Sequence, residues 1–243
     1  MPRVILLLFL FYFIKNNLFS NHIVGGEIEM IHIGDENSFR YEIRLVQYFD
    51  CAQTENPGPD NLITYSIFRN SDGAFMREET MFITNQEFVP YTNPDCALGF
   101  LCTLKVEYSH QITLDPDEYN DPNGYVIVWE RCCRNWETKN LINPGWNGMT
   151  YTLYFPPVVD ANGEPLINSS PRLFPPLSDY ACINQLFYID FAGTDDDGDS
   201  IVYSLAAPLD DKQPNDANIV ALPPSTPPPH PSVDLRSEEH TSE

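Results

Sequence analysis

No stretch of this chain carries a helical period. What recurs is alternation of apolar and polar residues in short β-rich runs, cut by clusters of Asn, Asp, Gly and Pro. Ile23 to Ile33 and Ser38 to Phe49 form a first pair of predicted strands; in the second, Phe39, Tyr41, Ile43, Leu45 and Gln47 fall on one face. Leu62 to Arg69 and Ala74 to Ile83 flank Asn70-Ser71-Asp72-Gly73, a hairpin signal because Asp-Gly suits tight turns that need positive φ. Leu104 to Leu114 and Tyr125 to Cys132 make another pair around the turn-rich stretch Asp115 to Gly124. Met149 to Phe155 ends at Pro156-Pro157, which cannot continue a central strand. About seven strands over roughly 135 residues is the pattern of an antiparallel, immunoglobulin-like β-sandwich, placing a first domain at 21–157.

The rest of the chain changes character. Residues 158–176, rich in Pro, Asn, Gly and Ser, read as a linker. Phe187 to Ala192 and Ile201 to Ala206 are predicted strands on either side of Thr194-Asp195-Asp196-Asp197-Gly198-Asp199, and open a second, partial β-domain at 177–207. Residues 208–235 are Pro- and Asp-rich, favour extended polyproline conformation and show no periodic apolar face. No internal repeat marks the first domain.

Both ends stand apart from the fold. Met1-Pro2-Arg3 precedes eleven apolar residues, Val4 to Ile14, and then Lys15 to Ser20. That is the layout of a secretory signal peptide over 1–20, and the run falls short of the roughly 20 residues that span a bilayer. After its removal no segment remains for membrane insertion. Residues 236–243, Arg-Ser-Glu-Glu-His-Thr-Ser-Glu, match the translation of a common sequencing-library adapter. The expectation is therefore a fragment, the N-terminal part of a longer protein.

Composition narrows the function classes. With 42% apolar and 13% aromatic residues the chain can fill a core. Its 35 acidic against 13 basic residues, a net charge of −22, exclude a nucleic-acid partner, whose phosphates need Lys and Arg. The same excess favours cations, calcium above all.

Cys51, Cys96, Cys102, Cys132, Cys133 and Cys182 make an even set in an exported chain, the signature of disulfides, with fifteen connectivities open. The separation of Cys96 and Cys102 suits closing a small ring; one of the vicinal pair Cys132 and Cys133 is expected to bond Cys51, and Cys182 to lock the two domains together. The turn Asp195 to Asp199 supplies closely spaced carboxylates, and Asp195, Asp197 and Asp199 are the candidate calcium ligands, the one cofactor this sequence points to. It lacks the EF-hand pattern but resembles the Asp-rich turn of cadherin-like modules, here ending Ile201-Val202-Tyr203-Ser204-Leu205. No catalytic residues emerge. Asp115, Asp117, Glu118 and Asp121 form an acidic loop, but no nucleophile or metalloprotease motif accompanies them. Trp129, Trp136 and Trp146 could stack on sugars, although packing is their commoner use.

Tyr125 to Asn135, ending Glu130-Arg131-Cys132-Cys133-Arg134-Asn135, is the most distinctive run in the chain. With His22 to Glu27, Tyr48-Phe49-Asp50-Cys51, Asn168 to Pro171 and the Asp195 to Leu205 turn, it resembles the N-terminal region of large Bacteroidetes surface proteins. Those proteins end in a gliding-motility-associated, type IX secretion sorting domain. The resemblance runs from His22 to about Pro231, and the sorting domain itself lies outside it. It implies a non-catalytic, secreted or cell-surface adhesion module, meeting an extracellular glycan or protein surface. The alternative is a carbohydrate-binding accessory region of a secreted polysaccharide-degrading enzyme.

Overall fold

A computed structural model describes residues 23–52, 58–91, 101–132, 134–135, 138–173, 182, 184–188, 190–212 and 225–235. The expected signal peptide at 1–20, Cys96, Cys133, Trp136 and residues 236–243 lie outside the described residues. Seven strands form one antiparallel sheet: β1 (Ile23–His32), β2 (Arg40–Asp50), β3 (Leu62–Arg69), β4 (Phe75–Phe88), β5 (Thr103–Thr113), β6 (Tyr125–Arg131) and β7 (Met149–Phe155). Their order is β1-β2-β5-β4-β3-β6-β7. The sheet curls until β1 and β7 meet, so that it nearly closes into a barrel. At that seam a Cβ on Gly26 would lie 2.5 Å from the Val46 carbonyl and 2.9 Å from the Tyr151 hydroxyl, which leaves room only for glycine.

The all-β, antiparallel, sandwich-like class read from the alternation is the class observed. Tyr41, Ile43 and Leu45 of β2 point into the main core beside Ile63, Tyr65 and Ile67 of β3, Val106 and Tyr108 of β5, and Ile127 and Trp129 of β6. Trp129 stacks on Tyr151 at 5.3 Å between centroids, so it is a packing residue and not an exposed sugar platform. β4 runs five residues beyond its predicted end. A register shift between Ile83 and Asn85 lets the strand leave β3 and continue along β5, and its exposed continuation is polar at Thr84–Glu87. A polar run of that kind reads as loop in the sequence.

Beyond β7 the structure departs from the sequence reading in three places. The stretch expected as a linker is packed: Val158 and Val159 are buried, Met30 N–H donates to the Ser170 hydroxyl at 2.9 Å, and Ser170 N–H donates to the Met30 carbonyl. The described residues of Phe187 to Ala192, and Ile201 to Ala206, expected as strands, form no ladder with any described residue. The ladder found there joins β8 (Arg172–Leu173) to β9 (Gly193–Thr194). Alternation supplied the pattern, but among the described residues no neighbouring strand supplies the hydrogen bonds. The described parts of the Pro-rich segment, 208–212 and 225–235, form a strap laid across the sheet, with Leu209 bridged to Thr150 and Ser232, Leu235 bridged to Leu141, and Val233 buried.

The disulfide expectation is corrected as well. Cys51 bonds to Cys102, with Cα atoms 5.0 Å apart, rather than to the vicinal pair, and Cys102 is therefore not closed on Cys96. Cys132 and Cys182 are also disulfide-bonded, and no described cysteine is free.

Candidate functional site

Two turns at one end of the sheet enclose an open cleft of about 530 Å³. One is the β3–β4 turn at Asn70–Gly73, where Gly73 adopts φ 69°; the other is the long β5–β6 connection, where Gly124 adopts φ 71°. Arg69, Phe75 and Met76 line one side, and Asp117, Glu118, Asn120, Asp121 and Tyr125 the other.

The two turns are pinned to each other. Asn70 N–H donates to the Gly124 carbonyl at 3.0 Å, the Asn70 amide to the Asn123 carbonyl at 3.2 Å, and the Ser71 hydroxyl to Asp121 at 2.7 Å. Tyr125 threads its hydroxyl beneath the long loop, donating to the Glu118 carbonyl at 2.8 Å and accepting from Asp121 N–H at 3.0 Å. Asp115 starts that loop as an Asx turn, accepting from Asp117 N–H at 2.9 Å. Arg69 reaches Asp72 through two bonds, of 3.0 and 2.7 Å, which with the Ala74 amide hold the Asp72 carboxyl down at about 2. The Ser71 hydroxyl and the Asn123 amide likewise hold the Asp121 carboxyl below its ordinary range. Both carboxylates stay charged and in place across ordinary pH.

What the cleft presents is an aromatic face and unengaged acceptors. Phe75 stands edge-on to Phe68 at 5.9 Å and leaves 53% of its surface to solvent. The exposed carboxylates of Asp117 and Glu118 receive no hydrogen bond from the described residues. Of the acidic loop singled out in the sequence, Asp117, Glu118 and Asp121 reach the cleft, while Asp115 shapes the loop. Phe75, Arg69 and Asn120 were not singled out. Two Gly-bearing turns at one end of adjacent hairpins were the available signal, but the neighbouring of β3 and β6 is not written in chain order.

The acidic turn at Asp195–Asp199 is organised by its own backbone. Asp195 accepts from Asp197 N–H at 3.0 Å and Asp199 N–H at 3.1 Å, Asp197 accepts from Ser169 N–H, and Asp196 pairs with Arg172 at 2.8 Å. Among the described residues no group of three or more acidic, His or Cys side chains is arranged to hold a metal ion.

No known protein family, curated protein or solved structure matches the chain.

Proposed function

We propose that this chain is a non-catalytic extracellular module that holds a saccharide in the cleft between the β3–β4 turn and the β5–β6 loop. The observation that carries the reading is Phe75, a half-exposed ring set among acceptor side chains on two mutually pinned turns. A pyranose offers an apolar C–H face to an aromatic ring and hydroxyl donors around its rim, which is the complement of this surface. Glycoside hydrolysis asks for an acid whose carboxyl is raised by burial, and Asp117 and Glu118 are solvent-exposed, which favours holding over cleaving. The disulfide between Cys51 and Cys102 fits an oxidising, extracellular setting. The Tyr125–Asn135 run, in turn, supports a place among Bacteroidetes surface proteins of the adhesin type.

Glycan-array binding tests the reading. Phe75→Ala is expected to weaken binding at least about tenfold, the loss of one aromatic stack worth ~1.5 kcal/mol, with the melting temperature nearly unchanged. Asp117→Ala with Glu118→Ala should weaken it further. Binding that survives all three substitutions overturns the cleft assignment. Linkage to a hydrolase domain in the same polypeptide would move the module from adhesion to the accessory role in polysaccharide degradation.

A further inference from the structure

The strap formed by 208–212 and 225–235 is fastened by ionisable groups that the cleft does not use. It hydrogen-bonds the outer face of β3 at Ser66 and of β6 at Glu130, the face on which Phe68, Val126 and Val128 form a second apolar cluster. At one side Ser225 N–H donates to the buried Ser66 hydroxyl at 3.0 Å. Next to it the Glu130 carboxylate, 1% exposed, meets the His230 ring, fully buried, at 2.9 Å. Glu130 also accepts from Thr226 N–H at 2.6 Å, from the Thr226 hydroxyl at 2.8 Å and from Lys212 N–H at 3.3 Å. At the other side the Asp211 carboxyl is seated directly over Gly148, where any Cβ would lie 2.1 Å from its Cγ. One Asp211 oxygen is buried and takes no hydrogen bond from the described residues. Asp210 accepts from Gly148 N–H, and Arg134 donates to the Leu209 carbonyl at 2.7 Å.

We propose that this strap is a pH-gated latch, shut in mildly acidic to neutral solution and loosened in alkaline solution, where it uncovers the Phe68–Val126–Val128 face. The charged and titratable groups around the seat are Asp210, Lys212 and His230 from the strap, Glu130 from β6 and Arg134 from the loop after it. Burial first, and then the neighbouring Asp210 and Glu130, push the Asp211 carboxyl up to about 7. A carboxyl raised in the docked state favours docking while it is protonated, and that gain is lost as pH rises through about 7. Glu130 works in the opposite sense. Burial alone would raise its carboxyl, but His230 and Thr226 outweigh burial and leave it lowered. Its contribution is present above the ordinary carboxylate range and fades as pH falls through that lowered range. The latch is therefore tightest between the two. Above that window Asp211 ionises beside two carboxylates, with Arg134 the cation that opposes the repulsion.

Hydrogen exchange on the whole chain reads this directly. Protection of the Ser225 and Thr226 amides, corrected for intrinsic rate and normalised to β5 amides such as Tyr108, is expected to fall about tenfold between roughly pH 6 and 8.5. Binding of an apolar dye should rise in parallel. Asp211→Asn should keep the strap protected at both values, because the amide cannot ionise. Gly148→Ala should leave it open at both, because the new Cβ displaces the Asp211 carboxyl. Equal protection of the unmodified chain at both values, or the same fall in Asp211→Asn, would overturn the latch. The first of these outcomes needs no variant to fold, and none depends on whether the cleft binds a sugar.

Discussion

The described residues Glu130, Arg131, Cys132 and Arg134 tie the end of β6 to the strap, to the segment before β3 and to a disulfide. Glu130 takes the strap, Arg131 pairs with Asp60 before β3, Cys132 is disulfide-bonded, and Arg134 reaches the Leu209 carbonyl. Arg131 is the most constrained of these. Its guanidinium is 14% exposed, and burial lowers it to about 10, so it depends on the Asp60 carboxylate. Asp60→Ala should cost about 2 kcal/mol, less than a fully buried pair would lose because the Asp60 side chain is 31% exposed and partly screened. Asp60→Asn, which keeps an acceptor, should cost less than half of that, and urea unfolding measures both. The Tyr108 hydroxyl bonds the Asp60 backbone carbonyl, so neither change disturbs it. These roles were hidden in the sequence, and Cys51 shows why. Its partner lies 51 residues away, against six for the loop pairing that spacing suggests. The β2–β5 register sets Asp50 opposite Thr103, and Cys51 N–H then donates to the Cys102 carbonyl. The pairing follows from strand order, which alternation does not encode.

Strand β6 carries the plainest element-scale lesson. Tyr125, Val126, Ile127, Val128, Trp129 and Glu130 are all buried. Such a continuous apolar run is what a strand covered on both faces requires, whereas β2 and β5 alternate because one side faces water. The signal was legible in Tyr-Val-Ile-Val-Trp, but its cover lies some hundred residues later in a segment whose composition reads as polyproline. Proline does not prevent such docking, because the strap needs few ladder bonds and uses the Thr226 and Asp210 side chains instead. Val128→Asn is therefore expected to destabilise by roughly 2–3 kcal/mol, the cost of a polar side chain sealed without a partner. Glu107→Asn, on the outward, half-buried side of β5, should cost under about 1 kcal/mol. Equal costs in chemical denaturation would mean that the strap does not seal β6.

At the scale of the whole molecule, repulsion between like charges outweighs attraction. Acidic residues number 35 against 13 basic ones, and several of the cations are already paired. Arg44 lies between Glu29 and Glu42, Lys105 between Glu87 and Glu107, and Arg69 beside Asp72 and Asp121. Exposed pairs of this kind each contribute little, about 0–1 kcal/mol, and salt weakens them. The same salt weakens the far more numerous like-charge repulsions, which act over the whole surface at distances near the Debye length of about 10 Å at 0.1 M. With a net charge of −22 the second effect wins, so the folded chain should gain stability with ionic strength. Raising NaCl from about 10 to 300 mM is expected to lift the melting temperature by several degrees, where a charge-balanced protein would change little. Calcium chloride at matched ionic strength then isolates ion binding from screening. The backbone amides that already occupy Asp195 and Asp197 predict no excess over NaCl. An excess abolished by Asp199→Asn would show that the acidic turn recruits calcium by rearranging, at the expense of its bond to Ser169.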